Sequence, residues 1–178
     1  MHKLDIKSPI VLLMNEHEII TSAIDIAMKA DSLIGKNDEL YSKVARNLLS
    51  FFRNYADNVH HKKEDNILFP EMIRKNEMMK EGVLKEMNEN HHDFHDMINN
   101  AEQYLIKGDY LRAQQQLHVY ADALLDHIAV ENEEVFQIAA SIFDDNELET
   151  MYFRFIDIDR ETLKPELETK LEQIRNLF

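Results

Sequence analysis

The sequence contains no cysteine and no tryptophan, and only three glycines and three prolines among its 178 residues. Without cysteine there is neither a disulfide framework nor thiolate chemistry, so any metal must be bound through nitrogen and oxygen ligands. The shortage of glycine and proline leaves little material for turns, whereas Leu, Ile, Met, Glu, Lys and Ala are abundant. Strand-like alternation of apolar and polar residues is also missing. Together these absences predict an all-α protein.

Basic clusters and long hydrophobic runs are missing as well. The formal charge is −14, which repels nucleic acids and anionic membrane surfaces, so neither is expected as a partner. No apolar run approaches the length of a membrane span. The first eight residues lack the charged-then-apolar layout of a signal peptide, so a cytoplasmic protein is predicted. The length and the 44% hydrophobic content predict one domain with a substantial core.

The most informative stretch runs from His60 to Pro70. His60 and Glu64 are spaced at i and i+4, which places them on one helix face about 6 Å apart along the axis. Both continue an apolar stripe, so they occupy positions where core-facing side chains belong. A buried carboxylate requires a cation, and this pair therefore indicates a metal site. The stripe comprises Leu49, Phe52, Ala56, His60, Glu64 and Ile67.

Three other segments carry the same kind of pattern. His91 and His95 form an i, i+4 pair, His127 and Glu131 repeat the His-then-Glu spacing, and a single histidine lies on the first apolar stripe. The candidate metal ligands are therefore His17, His60, Glu64, His91, His95, His127 and Glu131.

Each of these residues has an ordinary interpretation when taken alone. A single histidine on an apolar face is usually a hydrogen-bonded core residue, and a glutamate there usually extends to water. Seven such residues on the inner faces of four consecutive helices, with no Lys or Arg obviously placed to neutralise them, favour the metal site. The remaining histidines, His2, His61, His92 and His118, fall off the stripes and are predicted to be solvated. His61 and Glu16 are candidates for hydrogen-bonding to the ligands.

A ferritin-like di-metal bundle is the rival arrangement, because it uses Glu-x-x-His spacing at i and i+3. Asp57 with His60, and Glu89 with His92, fit that spacing loosely. Periodicity argues against it, since Asp57, Glu89 and His92 lie off the apolar faces. This arrangement would also leave three histidines buried without a role.

Helix start and stop signals predict an up-and-down antiparallel four-helix bundle over residues 1–143. The first helix starts at Pro9 with Ser8 as its N-cap and ends near Ala30. The second opens at Asn37 or Asp38 and ends or kinks at Pro70. The third spans 83–107 and the fourth runs from Asp109 to about Ser141.

Residues 144–178 carry two further helical patterns without any ligand set. We expect this extension to cover one end of the bundle or to form a dimer contact, so a homodimer through these helices is a candidate assembly.

At these motifs the chain resembles the hemerythrin-like family, whose helical bundles carry a His-His-Glu cation-binding signature. The resemblance covers nearly the whole chain, and the order and spacing of the motifs agree together. The matching motifs are Glu16-His17, His60-x-x-x-Glu64 closing in Ile67-Leu68-Phe69-Pro70, His91-x-x-x-His95, and His127-x-x-x-Glu131 continuing to Val135-Phe136.

The resemblance implies two iron ions joined by a bridging oxo or hydroxo group. Two octahedral ions have twelve coordination positions. Five imidazoles fill five, Glu64 and Glu131 as bridges fill four, and the bridging oxygen fills two. One position stays open for a small diatomic ligand. Zinc prefers a closed tetrahedral site and has no redox chemistry, so it fits this ligand set poorly.

One departure from the family pattern concerns the last carboxylate. Oxygen-carrying members place it five residues after the histidine, where this chain has Asn132, whereas Glu131 stands at four. This spacing is similar to that of the more diverse prokaryotic and sensor-type members.

Two functional classes follow. The first is a non-catalytic di-iron protein that binds or senses O2 or another diatomic such as NO, or that stores iron. The alternative is a di-iron enzyme that reduces O2 or decomposes peroxide, or ferritin-like iron handling. No dedicated acid, base or substrate pocket is identifiable, which favours the first class.

Overall fold

The computed structural model describes residues 8–177, and the regular elements in this range are helices. The predicted all-α fold is confirmed. The α-helices are α1 Pro9–Lys29, α2 Asp38–Phe51, α3 Phe69–Lys75, α4 Val83–Ile106, α5 Tyr110–Val130, α6 Phe136–Ile142, α7 Asp145–Glu161 and α8 Lys164–Arg175. Short 3₁₀ helices follow α1 and α3, at Ala30–Leu33 and Glu77–Glu81.

Three π-helical segments interrupt the α-helices without ending them. Phe52–His61 and Glu64–Leu68 join α2 to α3, and Glu131–Val135 joins α5 to α6. Their i→i+5 hydrogen bonds widen the helix, a feature that often marks functional sites. Pro70 does not end its helix, because the chain continues directly from the π-helix Glu64–Leu68 into α3. The irregular π-helical segment lies immediately before the proline, whose missing N–H interrupts the regular hydrogen-bond ladder.

Four long helices pack as a bundle around two separate apolar clusters: α1, the continuous helix from α2 to α3, α4, and the continuous helix from α5 to α6. Helix α1 lies against α2 and α5, α2 lies against α4, and α4 packs along the length of α5. One apolar cluster contains Ile20 and Ala56, and the other contains Leu13 and Ile67. His17 and His60 fall between these residues along their helices, so a buried polar layer separates the two clusters.

Helices α7 and α8 form a hairpin against the outside of the bundle. Helix α7 contacts α1 and the π-helix Glu64–Leu68, whereas α8 contacts α1, α2 and the π-helix Phe52–His61. Phe155 of α7 and Leu171 of α8 are both buried. Asp144 starts α7 with a capping box, in which its side chain and that of Glu147 accept each other's backbone N–H groups. The hairpin therefore covers α1 and the continuous helix that runs from α2 to α3.

Candidate metal centre

Seven buried histidine and glutamate side chains converge in the polar layer between the apolar clusters. Helix α1 supplies one histidine, α4 and α5 supply one each, and two adjacent histidines come from the end of the π-helix Phe52–His61. The two glutamates are the first residues of the other two π-helices. All seven are at most 8% exposed. The residues are His17, His60, His61, Glu64, His91, His127 and Glu131.

These side chains form two groups with metal-ligand geometry. The first group contains His17, His60, Glu64 and Glu131, and the second contains His61, Glu64, His91 and His127. Within each group the donor atoms all lie within 4.8 Å of one another. Glu64 belongs to both groups, which places the two sites side by side.

Both carboxylates extend between the two groups. Glu131 Oε2 lies 3.1 Å from His17 Nε2, and its Oε1 lies 3.1 Å from His127 Nε2. Glu64 Oε1 lies 3.5 Å from His60 Nε2, and its Oε2 lies 3.6 Å from His91 Nε2. Each carboxylate thus offers one oxygen to each group, which is the arrangement required to bridge two metal ions.

A polar partner on another residue holds the Nδ1 atom of every clustered histidine. Where the partner is an oxygen, as for His17, His60, His61 and His91, it accepts the Nδ1–H hydrogen bond, which fixes the ring orientation and leaves Nε2 free to bind a metal. At His127 the partner is the amide nitrogen of Asn90, a donor, and this contact fixes only the ring orientation. The Nδ1 contacts are His17 with Asn132 Oδ1 at 2.9 Å, His60 with Glu16 Oε2 at 3.0 Å, His61 with Asp57 Oδ1 at 3.2 Å, His91 with Asp65 Oδ1 at 2.8 Å, and His127 with the Asn90 amide at 3.3 Å.

Several of the inward-facing atoms are buried without a hydrogen-bond partner among the described residues. They are His60 Nε2, His61 Nε2, both oxygens of Glu64 and Oε1 of Glu131. An unsatisfied buried polar atom is costly, so convergent orphaned atoms of this kind need an explanation. Imidazole nitrogens and carboxylate oxygens are the donors that iron and manganese accept, and the residues present therefore fit a pair of such ions.

The electrostatics of the metal-free site are strongly perturbed. Burial and the nearby charge of Glu131 raise the pKa of Glu64 well above its usual value. Burial alone would lower the pKa of His60, but the charge of Glu64 and hydrogen bonds to Glu131 and Glu16 raise it to about 10. At neutral pH the metal-free centre therefore holds protons that a metal must displace.

We expect metal binding at pH 7 to release protons, because His60 binds a metal only when neutral. His60 has a raised pKa, so in the metal-free protein its stabilising contribution is complete below about 6.5 and is lost as pH rises through about 10. The apparent metal affinity should rise over the same range. Calorimetric titration in buffers of different ionisation enthalpy measures the protons released. The wild type is compared with His60→Ala, and His95→Ala serves as the control. Equal proton release by the wild type and by His60→Ala would contradict this account.

The structure places His95 and His61 differently from the sequence prediction. His95 is exposed on α4, where the Asn99 amide lies 3.2 Å from its Nδ1, and it lies outside both groups. Phe94 takes the inward position and packs against His127 and His61. His61, predicted to be solvated, is 3% exposed and belongs to the second group. The other six predicted ligands come together.

The π-helix explains why His61 was missed. On a regular α-helix, adjacent residues lie about 100° apart, so His60 and His61 cannot share a face. In a π-helix each residue advances by a smaller angle, and both rings reach the interior from Phe52–His61. For His95, heptad spacing along α4 gives the correct inner face. Met87, His91 and Ile98 follow this spacing, which places position 94 on the inner face in place of position 95.

The other sequence predictions for polar residues have mixed outcomes. Glu16 hydrogen-bonds to a candidate metal ligand, as predicted, because its carboxylate accepts from His60 Nδ1. Asn132, which stands where oxygen carriers have a carboxylate, accepts a hydrogen bond from His17 instead. Glu89 and His92 are exposed, which rules out the ferritin-like arrangement, and His118 is half-buried beside Asp31. His2 lies outside the described residues.

Comparison with known proteins agrees with this geometry. Among the described residues, no helix is both long and apolar enough to cross a membrane. Neither the comparison with curated proteins nor that with solved structures found a match. The model of the hemerythrin HHE cation binding domain matches residues 8–139, which include every residue of the two groups. The chain therefore belongs to the hemerythrin HHE cation binding domain family.

Proposed function

We propose that the two groups bind a pair of iron ions, and that this pair binds a small diatomic ligand, O2 or NO. The observation that carries the proposal is the unequal distribution of imidazoles. His17 and His60 face one end of the two carboxylates, whereas His61, His91 and His127 face the other. The ligand total of five imidazoles and two carboxylates is the same as the sequence predicted, with His61 in place of His95.

The unequal distribution supports a free coordination position on one side of the centre. When bound, an iron pair would supply electrons and a binding position for a diatomic molecule. His61, His91 and His127 would hold one ion together with an oxygen from each carboxylate, and His17 and His60 would hold the other. With one imidazole fewer, the ion beside His17 and His60 would have room for the diatomic ligand.

Aromatic side chains enclose the centre and separate it from water. Phe136 stacks on His17 with ring centroids 5.3 Å apart, and Phe94 meets His127 edge-on at 5.1 Å. Phe69 stacks on His91 at 6.0 Å. All three phenylalanines are at most 2% exposed. A dry pocket of this kind favours binding of a small neutral ligand and slows the escape of charged products.

Reduced, iron-loaded protein should therefore bind about one O2 or NO per iron pair and develop a new visible absorption band. Rapid mixing under anaerobic conditions with each gas measures the stoichiometry and the rate of release. Protein carrying Glu64→Ala provides the control, because it lacks the residue common to both groups. Peroxide turnover far above that of the metal-free protein, without a stable gas adduct, would instead support the enzymatic alternative.

A further inference from the structure

We infer that Asp159 and Lys164, in the C-terminal helical hairpin, are positioning residues of the metal centre that act on His60 through Glu16. Both residues lie outside the stretch that matches the family, which ends at residue 139. The inference rests on the proposed metal pair. It assigns a role at that pair to a part of the chain that carries none of its ligands.

Glu16 connects the ligand layer to the hairpin. Its Oε2 accepts the hydrogen bond from His60 Nδ1 at 3.0 Å, so it sets the orientation and the tautomer of that ring. Its Oε1 accepts a hydrogen bond from Lys164 Nζ at 2.7 Å and one from Lys63 Nζ. Glu16 and Lys63 are both fully buried.

The hairpin completes a group of four charges around this contact. Lys63 Nζ lies 2.5 Å from Asp159 Oδ1, and Lys164 Nζ lies 3.6 Å from Asp159 Oδ2. The group contains two cations and two anions, so it is neutral overall. Without Asp159, Glu16 would be the one carboxylate of the group left beside Lys63, whereas Lys164 would keep Glu16 and the more distant Glu168, whose Oε1 lies 4.0 Å from its Nζ. A buried charge such as that of Lys63 is poorly compensated in this arrangement.

The turn between the two hairpin helices is built in an unfavourable conformation. Leu163 has φ 54° and ψ 45°, the left-handed region, and it is the only non-glycine residue among 8–177 with a positive φ. Its side chain is 58% exposed and fills no core position. This conformation starts α8 at Lys164 and directs that residue back towards α1. Tyr55 further fixes α8 by donating a hydrogen bond to Glu168 at 2.9 Å.

The net charge of the four-residue group determines how much negative charge the Glu16 carboxylate presents to Nδ1 of His60. A more anionic partner on Nδ1 makes the imidazole a stronger donor at Nε2. Removing the Lys164 cation leaves a net negative group and should strengthen metal binding beside His60. Removing the Asp159 anion leaves a net positive group and should weaken it. A purely structural role would weaken binding in both variants.

The test compares Lys164→Met, Asp159→Asn and the double variant by titrating each metal-free protein with Co²⁺, whose visible spectrum reports site occupancy. We expect the affinity of the first group to rise in Lys164→Met, to fall in Asp159→Asn, and to return near wild type in the double variant. Glu16→Gln should lower it about 10- to 100-fold. Lys164→Arg should behave as wild type, and so should Arg160→Gln, an exposed control on α7 whose ion-pair partner within residues 8–177 is Asp157.

The reduction potential of the iron-loaded protein provides a second measurement. Lys164→Met should lower it and Asp159→Asn should raise it, where each tenfold change in the ferric-to-ferrous binding ratio corresponds to about 59 mV. Shifts of the same sign in both single variants, or none beyond that of Arg160→Gln, would overturn the inference. Normal Co²⁺ titrations without any gas binding would reject the proposed ligand chemistry and leave the positioning role intact. Failure of the wild-type protein to bind Co²⁺ would reject both.

Discussion

Replacing His61 with alanine should reduce the metal content from about two ions per chain to one or none, whereas His95→Ala should leave both ions bound. His61 lies inside the second group with its Nε2 orphaned, and His95 is exposed outside it. Loss of a direct ligand should exceed the roughly 10- to 100-fold loss in affinity that follows removal of an outer partner. Elemental analysis after iron loading and gel filtration measures the effect.

The adjacent histidines on α4 provide matched controls for this experiment. His92→Ala removes an exposed imidazole from the same helix turn and should keep two ions, as His95→Ala does. His91→Ala should behave like His61→Ala, since both residues belong to the second group. The ligand assignment is wrong if His95→Ala loses the pair while His61→Ala retains it.

Periodicity predicted the parts of this molecule that depend on local sequence. The starts of α1 and α4, at Pro9 and Val83, agree with the structure, because helix caps and apolar stripes are properties of neighbouring residues. Six of the seven predicted ligands lie together for the same reason. A prediction from periodicity depends on regular α-helical geometry, and this geometry fails where the π-helix Phe52–His61 brings His61 inward.

Residues whose role depends on distant partners could not be recognised from the sequence. Lys63 lies in a charged stretch that is typical of a solvated helix face, yet it is fully buried. It is buried because α7 and α8, about a hundred residues later, bring Asp159 and Lys164 against that face. Asp65 and Asn90 likewise look like surface residues until the neighbouring helices place a histidine beside each. Local patterns contain no information about such pairings.

The other large expected effect concerns the stability of the protein without metal. A ligand that binds only the folded state at 100 times its Kd stabilises that state by about 2.7 kcal/mol. For a chain of this length, this corresponds to roughly 5–10 °C in Tm. Removing the metal with a chelator should lower the Tm by at least this amount in the wild-type protein. Thermal unfolding followed by circular dichroism measures the shift, and Glu64→Ala should show none.

Glu64→Gln should make the metal-free protein more stable than the metal-free wild type while abolishing metal binding. Burial and the charge of Glu131 raise the pKa of Glu64 well above its usual value, so the folded state penalises the ionised carboxylate. For an acid with a raised pKa, this penalty is absent below about pH 4.5 and grows as pH rises above it. Glutamine has nearly the same size as glutamate, and its neutral amide avoids this penalty.

The gain in Tm of the metal-free Glu64→Gln protein should therefore be clear at pH 7 and disappear near pH 4. Glu89→Gln, on the exposed face of α4, is the control. A metal-free Glu64→Gln protein that melts below the wild type at pH 7 would show that Glu64 stabilises the bundle itself, and would remove the argument that its place in the core depends on a bound cation.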